Sequence, residues 1–181
     1  MFEEIQRLNH EASKLETNYW LSEDLFSLHW WVIVIVNILF LMVLIKLLDR
    51  KRPLQVIIAF LISFILVGFI NELGYYYHWW SYPHQFITAF RVMNAVDFLT
   101  IPVIHTLLYQ KYSGWKPYLI ANAIIMAIIA FVGVPIFVHF HFYVLYDWNY
   151  LKSYLALIVV GMLVKVIVDL LIDWAAVERD S

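Results

Sequence analysis

The sequence predicts an all-α, multi-pass membrane bundle of five transmembrane helices preceded by an amphipathic N-terminal helix. Three observations carry that prediction. Of 181 residues, 64% are hydrophobic and 14% charged, against about 45–50% and about 25% in a typical soluble domain. The apolar residues gather into long runs separated by short charged or aromatic turns. A ~30 Å hydrocarbon core takes about 20 helical residues to cross, and five runs of that order are present. An ordinary water-soluble globule, a disordered chain and a nucleic-acid-binding domain with its basic surface are excluded. The net charge of −2 draws the protein to no polyanion. Without cysteine there is no disulfide, thiolate metal site or cysteine nucleophile.

Residues 1–27 form an external N-terminal arm. Ile5, Leu8, Ala12, Leu15 and Tyr19 recur at spacings of three and four, the pattern of an amphipathic helix. Its polar face carries glutamate, unlike the basic face of most interfacial membrane helices. Packing over the external loops is the plainer expectation for it, and docking onto another protein or a second copy is the alternative. No basic n-region with a cleavage site opens the chain, so the first apolar run is expected to stay as a membrane helix.

The transmembrane domain, 28–176, has spans at about 30–48, 54–74, 86–110, 118–138 and 153–174, followed by a tail at 177–181. The first span stops at Asp49-Arg50-Lys51-Arg52-Pro53, where proline can open the next helix. After the second comes Tyr75-Tyr76-Tyr77-His78-Trp79-Trp80-Ser81-Tyr82, an aromatic cluster of the kind that anchors at headgroup level. The third span is weak, interrupted by Arg91, Asn94, Asp97, Pro102 and His105. Pro135 lies near the far end of the fourth. Gly68, Gly74, Gly133 and Gly161 are scattered without a Gly-x-x-x-Gly pair. Five helices leave limited interior room, so a homo-oligomer is expected.

Lys46, Arg50, Lys51, Arg52, Lys111, Lys116 and Arg179 flank one side of these spans, and Arg7, Lys14 and Lys152 the other. Positive charge collects in the cytoplasm, which puts the N-terminus outside and the C-terminus inside the cell membrane.

Charges within spans need a reason, since each costs about 2.5–3.5 kcal/mol at the membrane centre. At 100° per residue, Arg91, Asn94, Asp97 and His105 share an arc of roughly 120°. Lys165 and Asp169 line one stripe of the last span. Depth alone pairs Glu72 with Arg91, Asp97 with Lys165, and His105 with Asp169. Two explanations compete. These groups neutralise one another and fix which helices pack, or they line a hydrated site for an ion, proton or polar solute. His105 matters in the second, because its ordinary pKa of about 6.5 permits switching near neutrality. Lys165 and Asp169, four residues apart, can also pair locally.

His78, His84, His139 and His141 fall on the external side and are weak metal candidates, lacking His-x-x-x-His spacing. His139 and His141 would share a face only in extended chain. No Gly-x-Ser-x-Gly elbow, His-Glu-x-x-His or phosphate loop is present, so no enzymatic activity and no cofactor are expected.

Ser81-Tyr82-Pro83, Val96-Asp97-Phe98-Leu99-Thr100-Ile101-Pro102 and Leu108-Tyr109-Gln110-Lys111-Tyr112 resemble an uncharacterised family of small polytopic membrane proteins. That family is common in spore-forming Gram-positive bacteria such as bacilli and clostridia. Trp115-Lys116-Pro117-Tyr118, Pro135 and Trp148-Asn149-Tyr150 are similar to its later landmarks, over roughly residues 65–172. The resemblance implies a helical bundle in a bacterial cytoplasmic membrane and brings no assigned activity with it. Two functions follow from the residues. The first is binding or translocation of a small ion, proton or polar solute around Glu72, Arg91, Asn94, Asp97, His105, Lys165 and Asp169. The second is a membrane scaffold, with a spore-related role implied by the resemblance, that docks a protein partner through residues 1–27. Membrane lipids are partners in both, and nucleic acid in neither.

Overall fold

The computed structural model describes residues 1–89 and 97–180. Helix α1 (Phe2–Tyr19) leads through a π-helical turn (Trp20–Asp24) to α2 (Leu28–Leu47) and α3 (Pro53–Tyr76). A short strand β1 (Trp80–Ser81) precedes α4 (Asp97–Lys111) and α5 (Trp115–Ile128). A second π-helical turn (Ile129–Gly133), α6 (Val134–His139), β2 (Val144–Leu145) and α7 (Tyr150–Asp180) complete the chain.

Four helices are long and apolar enough to cross a membrane: Leu28–Leu47, Pro53–Tyr76, Trp115–His139 and Tyr150–Ala175. They match the first, second, fourth and fifth predicted spans within a few residues. Their outer faces carry bare hydrophobic side chains along their length, including Ile38, Met42, Leu61, Ile65, Ile124, Ile128, Leu163 and Leu170. Only lipid suits such a surface. The chain is a multi-pass membrane protein.

The third predicted span is matched only in part. Instead of a helix over 86–110, the described helix is α4, 15 residues or about 22 Å long at 1.5 Å per residue. Residues 86–89 are irregular or turn, and Arg91 and Asn94 lie outside the described residues. Packing explains the weak hydropathy. α4 touches α2, α3, α5 and α7, and Thr100, Ile101, Val103, His105, Thr106, Leu108 and Tyr109 are all buried. A helix sheathed by its neighbours meets protein rather than lipid, so its sequence can carry polar groups that a lipid-facing span cannot.

Local chemistry sets the element ends. The Ser27 hydroxyl accepts the Trp30 N–H at 3.2 Å and caps α2. Asp49 builds the next turn, accepting from Lys51 N at 3.0 Å and Arg52 Nε at 2.9 Å. These bonds, the backbone one first, hold its carboxyl below the usual range. Pro53 then starts α3, where its missing N–H costs nothing. Pro135 follows directly on the π-helical turn, which makes room for its ring against the preceding turn.

Two faces can be told apart by their contacts. On the arm face, β1 pairs antiparallel with β2, Trp80 opposite Leu145, and Trp20 Nε1 donates to Gln85 O at 2.9 Å. On the far face, Gln110 Nε2 donates to Leu47 O at 2.9 Å, and Arg52 Nη2 donates to Gln110 O at 2.9 Å.

α1 forms as the periodicity predicts, yet none of its residues is buried. Its stripe stands bare, with Ile5 49%, Leu8 52% and Leu15 70% exposed, while its last turn reaches the body through Glu16 and Tyr75. What anchors the arm is Asp24, 1% exposed. Its carboxylate accepts from His84 Nδ1 at 2.9 Å and from Gln85 N at 2.6 Å. Asp24→Ala strands both donors, and a loss of about 1–3 kcal/mol is expected. Hydrogen exchange should quicken over residues 20–29; unchanged exchange would show that something else anchors the arm.

Candidate functional site

A cavity of about 250 Å³ opens in the half of the bundle nearer the arm face. Val67, Ile70, Ile101, Ile104, Leu157 and Val160 lie in its wall, and Trp80, Tyr82, Phe142, Tyr143 and Trp148 roof it from the loops. The roof is one aromatic assembly. Tyr82 stacks on Tyr143 with centroids 5.1 Å apart, Trp80 meets Trp148 edge-on at 4.8 Å, and Trp79 stacks on Trp148 at 4.9 Å. Concave, apolar and few in polar groups, this is the usual form of a small-molecule site.

Asp97 supplies the carboxyl group in that wall. It lies at the near end of the described α4, which α2 touches there: Asn37 Oδ1 accepts the Leu99 N–H at 3.0 Å. Asp97 Oδ2 lies 2.9 Å from Tyr82 Oη and 3.4 Å from Asn71 Nδ2. Tyr82 Oη lies 2.9 Å from Asn71 Oδ1. Asp97 Oδ1 is shielded from solvent and has no hydrogen-bond partner among the described residues. Burial pushes the Tyr82 hydroxyl well above the ordinary tyrosine range. It raises Tyr143 as well. Both phenols stay protonated and can donate.

A second polar cluster sits toward the far face and lines no part of the cavity. Lys165, 1% exposed, donates to Ser113 O at 2.9 Å and pairs with Asp169 Oδ2 at 3.0 Å. Its ammonium also lies 5.2 Å from the Tyr109 and Trp115 rings and 5.4 Å from that of Tyr118, within cation–π range. Tyr109 Oη donates to the other Asp169 oxygen at 3.1 Å. Every strong group here has a partner within the cluster. Between the two clusters, His105 Nδ1 meets Ser63 Oγ at 3.0 Å, with the ring wholly buried.

The residues singled out by sequence are therefore not one constellation. Asp97 turns to Asn71 and Tyr82 rather than to Lys165; Lys165 takes the local partner, Asp169. Tyr109 stands where His105 was paired with Asp169 by depth. Glu72 is exposed and lines no part of the cavity, while its neighbour Asn71 turns inward. Among the described residues no group of three or more His, Asp or Glu gathers as metal ligands. Of the histidines weighed as metal ligands, His84 goes to Asp24 and stacks on His29 at 3.9 Å. His139 ends α6 and packs on Phe140, and His141 takes a left-handed turn at φ 59°, so the two are not in extended chain. Asn37, Asn71 and Tyr82 escaped sequence reasoning. The two asparagines carried a readable signal, an uncharged amide within an apolar span; Tyr82 was hidden among anchoring aromatics.

Comparison with known proteins gives no relative to lean on: no family model, curated protein or solved structure matches the chain.

Proposed function

We propose that the protein binds a small, largely apolar solute bearing one polar group, inside the membrane, in the cavity walled by Asp97. The observation that carries this is Asp97, the one residue with a carboxyl group among the described residues that line a largely apolar cavity. A hydrated metal ion or an open water path would call for several converging polar groups. The wall suits instead a molecule with a hydrophobic body. His105, Lys165 and Asp169 act in holding the helices together. The third passage of the chain ends in α4, which gives five crossings, with the arm outside and the C-terminus in the cytoplasm of a bacterial cell.

Gly133 offers the test. It lines the cavity, and a Cβ placed on it meets no atom within 4 Å. Gly133→Leu should fill the space without disturbing the helices. Binding of phenylbutyl-trimethylammonium to the protein in nanodiscs, read by calorimetry, should weaken by about tenfold or more, a change of about 1.4 kcal/mol, at unchanged thermal stability. Equal binding by both proteins would place the ligand elsewhere or nowhere.

The bare stripe of α1 supports a second function, docking of a partner or of a second copy through residues 1–27. Deleting residues 1–19 should then abolish the assembly seen by native mass spectrometry and leave cavity binding intact. An assembly that survives the deletion would remove α1 from that role.

A further inference from the structure

We infer that the cavity takes a hydrophobic monocation and that Asp97 gives up a proton as the cation enters. Such exchange presupposes that the cavity binds ligand, and it adds the ligand's charge and the ion that leaves.

A count of protons around Tyr82 comes first. One hydroxyl faces two acceptor oxygens at 2.9 Å, Asn71 Oδ1 and Asp97 Oδ2, and it has one proton to give. If Asp97 is ionised, one of those contacts has no hydrogen in it. Turning the Asn71 amide over does not help. The amide nitrogen then donates to Tyr82, but the amide oxygen is brought to 3.4 Å from Asp97 Oδ2, acceptor against acceptor. With Asp97 protonated, every contact closes: Asp97 Oδ2–H donates to Tyr82 Oη, Tyr82 donates to Asn71 Oδ1, and Asn71 Nδ2 donates back to Asp97 Oδ2. The arrangement is a ring of three bonds that needs one proton on the carboxyl.

The surroundings agree. No cationic side chain among the described residues pairs with Asp97. Among the described residues the titratable groups facing it are Tyr82 and Tyr143, both from the loops and both neutral. α2, α3, α5, α6 and α7 present uncharged residues to the cavity. A bare carboxylate there, with Oδ1 unpaired, would bear a full desolvation cost. Protonation removes that cost, and so does a bound cation.

The ligand's charge follows. An aromatic roof beside an acid recognises a poorly hydrated organic cation, through ring faces and the carboxylate together. Binding is then an exchange: the Asp97 O–H bond breaks, the proton passes to water, its electron pair stays as carboxylate charge, and the cation is held against it. The site is neutral before and after, which an apolar environment favours.

Phenylbutyl-trimethylammonium, whose charge does not titrate, and its neutral tert-butyl isostere test this on the whole protein in nanodiscs. The cation should bind about tenfold or more tightly than the isostere near neutral pH, the scale of a desolvated cation–π contact. Its affinity should fall by up to about tenfold per pH unit on acidification, one proton competing for one site, while the isostere's stays flat. Asp97→Asn should erase both the preference and the pH dependence. Should that variant misfold, infrared spectroscopy of the wild type gives the answer: the protonated-carboxyl stretch should fade as the cation is added. Cation and isostere binding alike with flat pH profiles, or a carboxyl stretch that cation leaves untouched, would overturn the exchange and leave the cavity as a ligand site. Failure of both probes to bind, with Gly133→Leu changing nothing, would overturn the cavity itself.

Discussion

Asp169→Ala is expected to destabilise the bundle by about 3 kcal/mol, toward the lower end of the roughly 3–5 kcal/mol for breaking a buried pair. The variant leaves Lys165 1% exposed with only Ser113 O and three ring faces around its charge. The figure sits low because Asp169 itself is 32% exposed, so water already screens part of the attraction. The double variant Lys165→Met/Asp169→Leu removes both charges at similar volume, and a near-neutral effect is expected. Denaturation midpoints in mixed micelles for the wild type, Lys165→Met, Asp169→Leu and the double variant measure the coupling directly. A single variant as costly as predicted beside a mild double variant makes the pair a lock between α7 and the α4–α5 turn. An equally harmful double variant would mean that the charge serves something besides packing. Cavity binding should be the same in all four, since neither residue lines it.

The same pair shows what was legible in sequence. Lys165 and Asp169 are four residues apart, so their pairing is local and helical spacing alone reveals it. The four lipid-facing helices were equally readable, because hydrocarbon imposes one rule on every exposed position. The third segment broke that rule, and its polar residues correctly marked it as interior. What spacing could not give was the partner across helices. Asp97, Asn71 and Tyr82 come from α4, α3 and the loop between them, and nothing in residue period says that a tyrosine in an aromatic anchor turns inward to an aspartate. For Asp97, depth matching paired charge with charge, whereas the acid is met by a neutral amide and a phenol. For α1 the pattern was right about the helix and silent on what covers it, since amphipathicity reports a face and not its occupant.

Gly74→Ala is the second large effect, and it strikes stability and binding together. Gly74 lies in the last turns of α3, where the chain folds straight back: Trp79 N donates to Gly74 O at 2.9 Å. A Cβ at this position would run into the six-membered ring of Trp80. The glycine is there for close approach, since its φ is not positive. Trp80, 4% exposed, cannot simply swing out. Trp148 sits against it at 4.8 Å and Tyr143 at 6.2 Å, and its own strand is paired to Leu145. Overpacking of this kind costs about 1–3 kcal/mol, and with backbone on one side and a wedged indole on the other the upper end is expected. The ring that must move is part of the cavity roof, next to Tyr82. Probe affinity should therefore drop with the denaturation midpoint, unlike in Gly133→Leu, where affinity drops alone. Adding Trp80→Leu to Gly74→Ala makes room for the methyl group and should restore much of the midpoint. It should not restore binding of phenylbutyl-trimethylammonium, because an aliphatic side chain offers the cation no ring face. A Gly74→Ala protein with full stability and full affinity would show that the roof yields easily, and a roof that yields could not hold Tyr82 in register with Asp97 and Asn71.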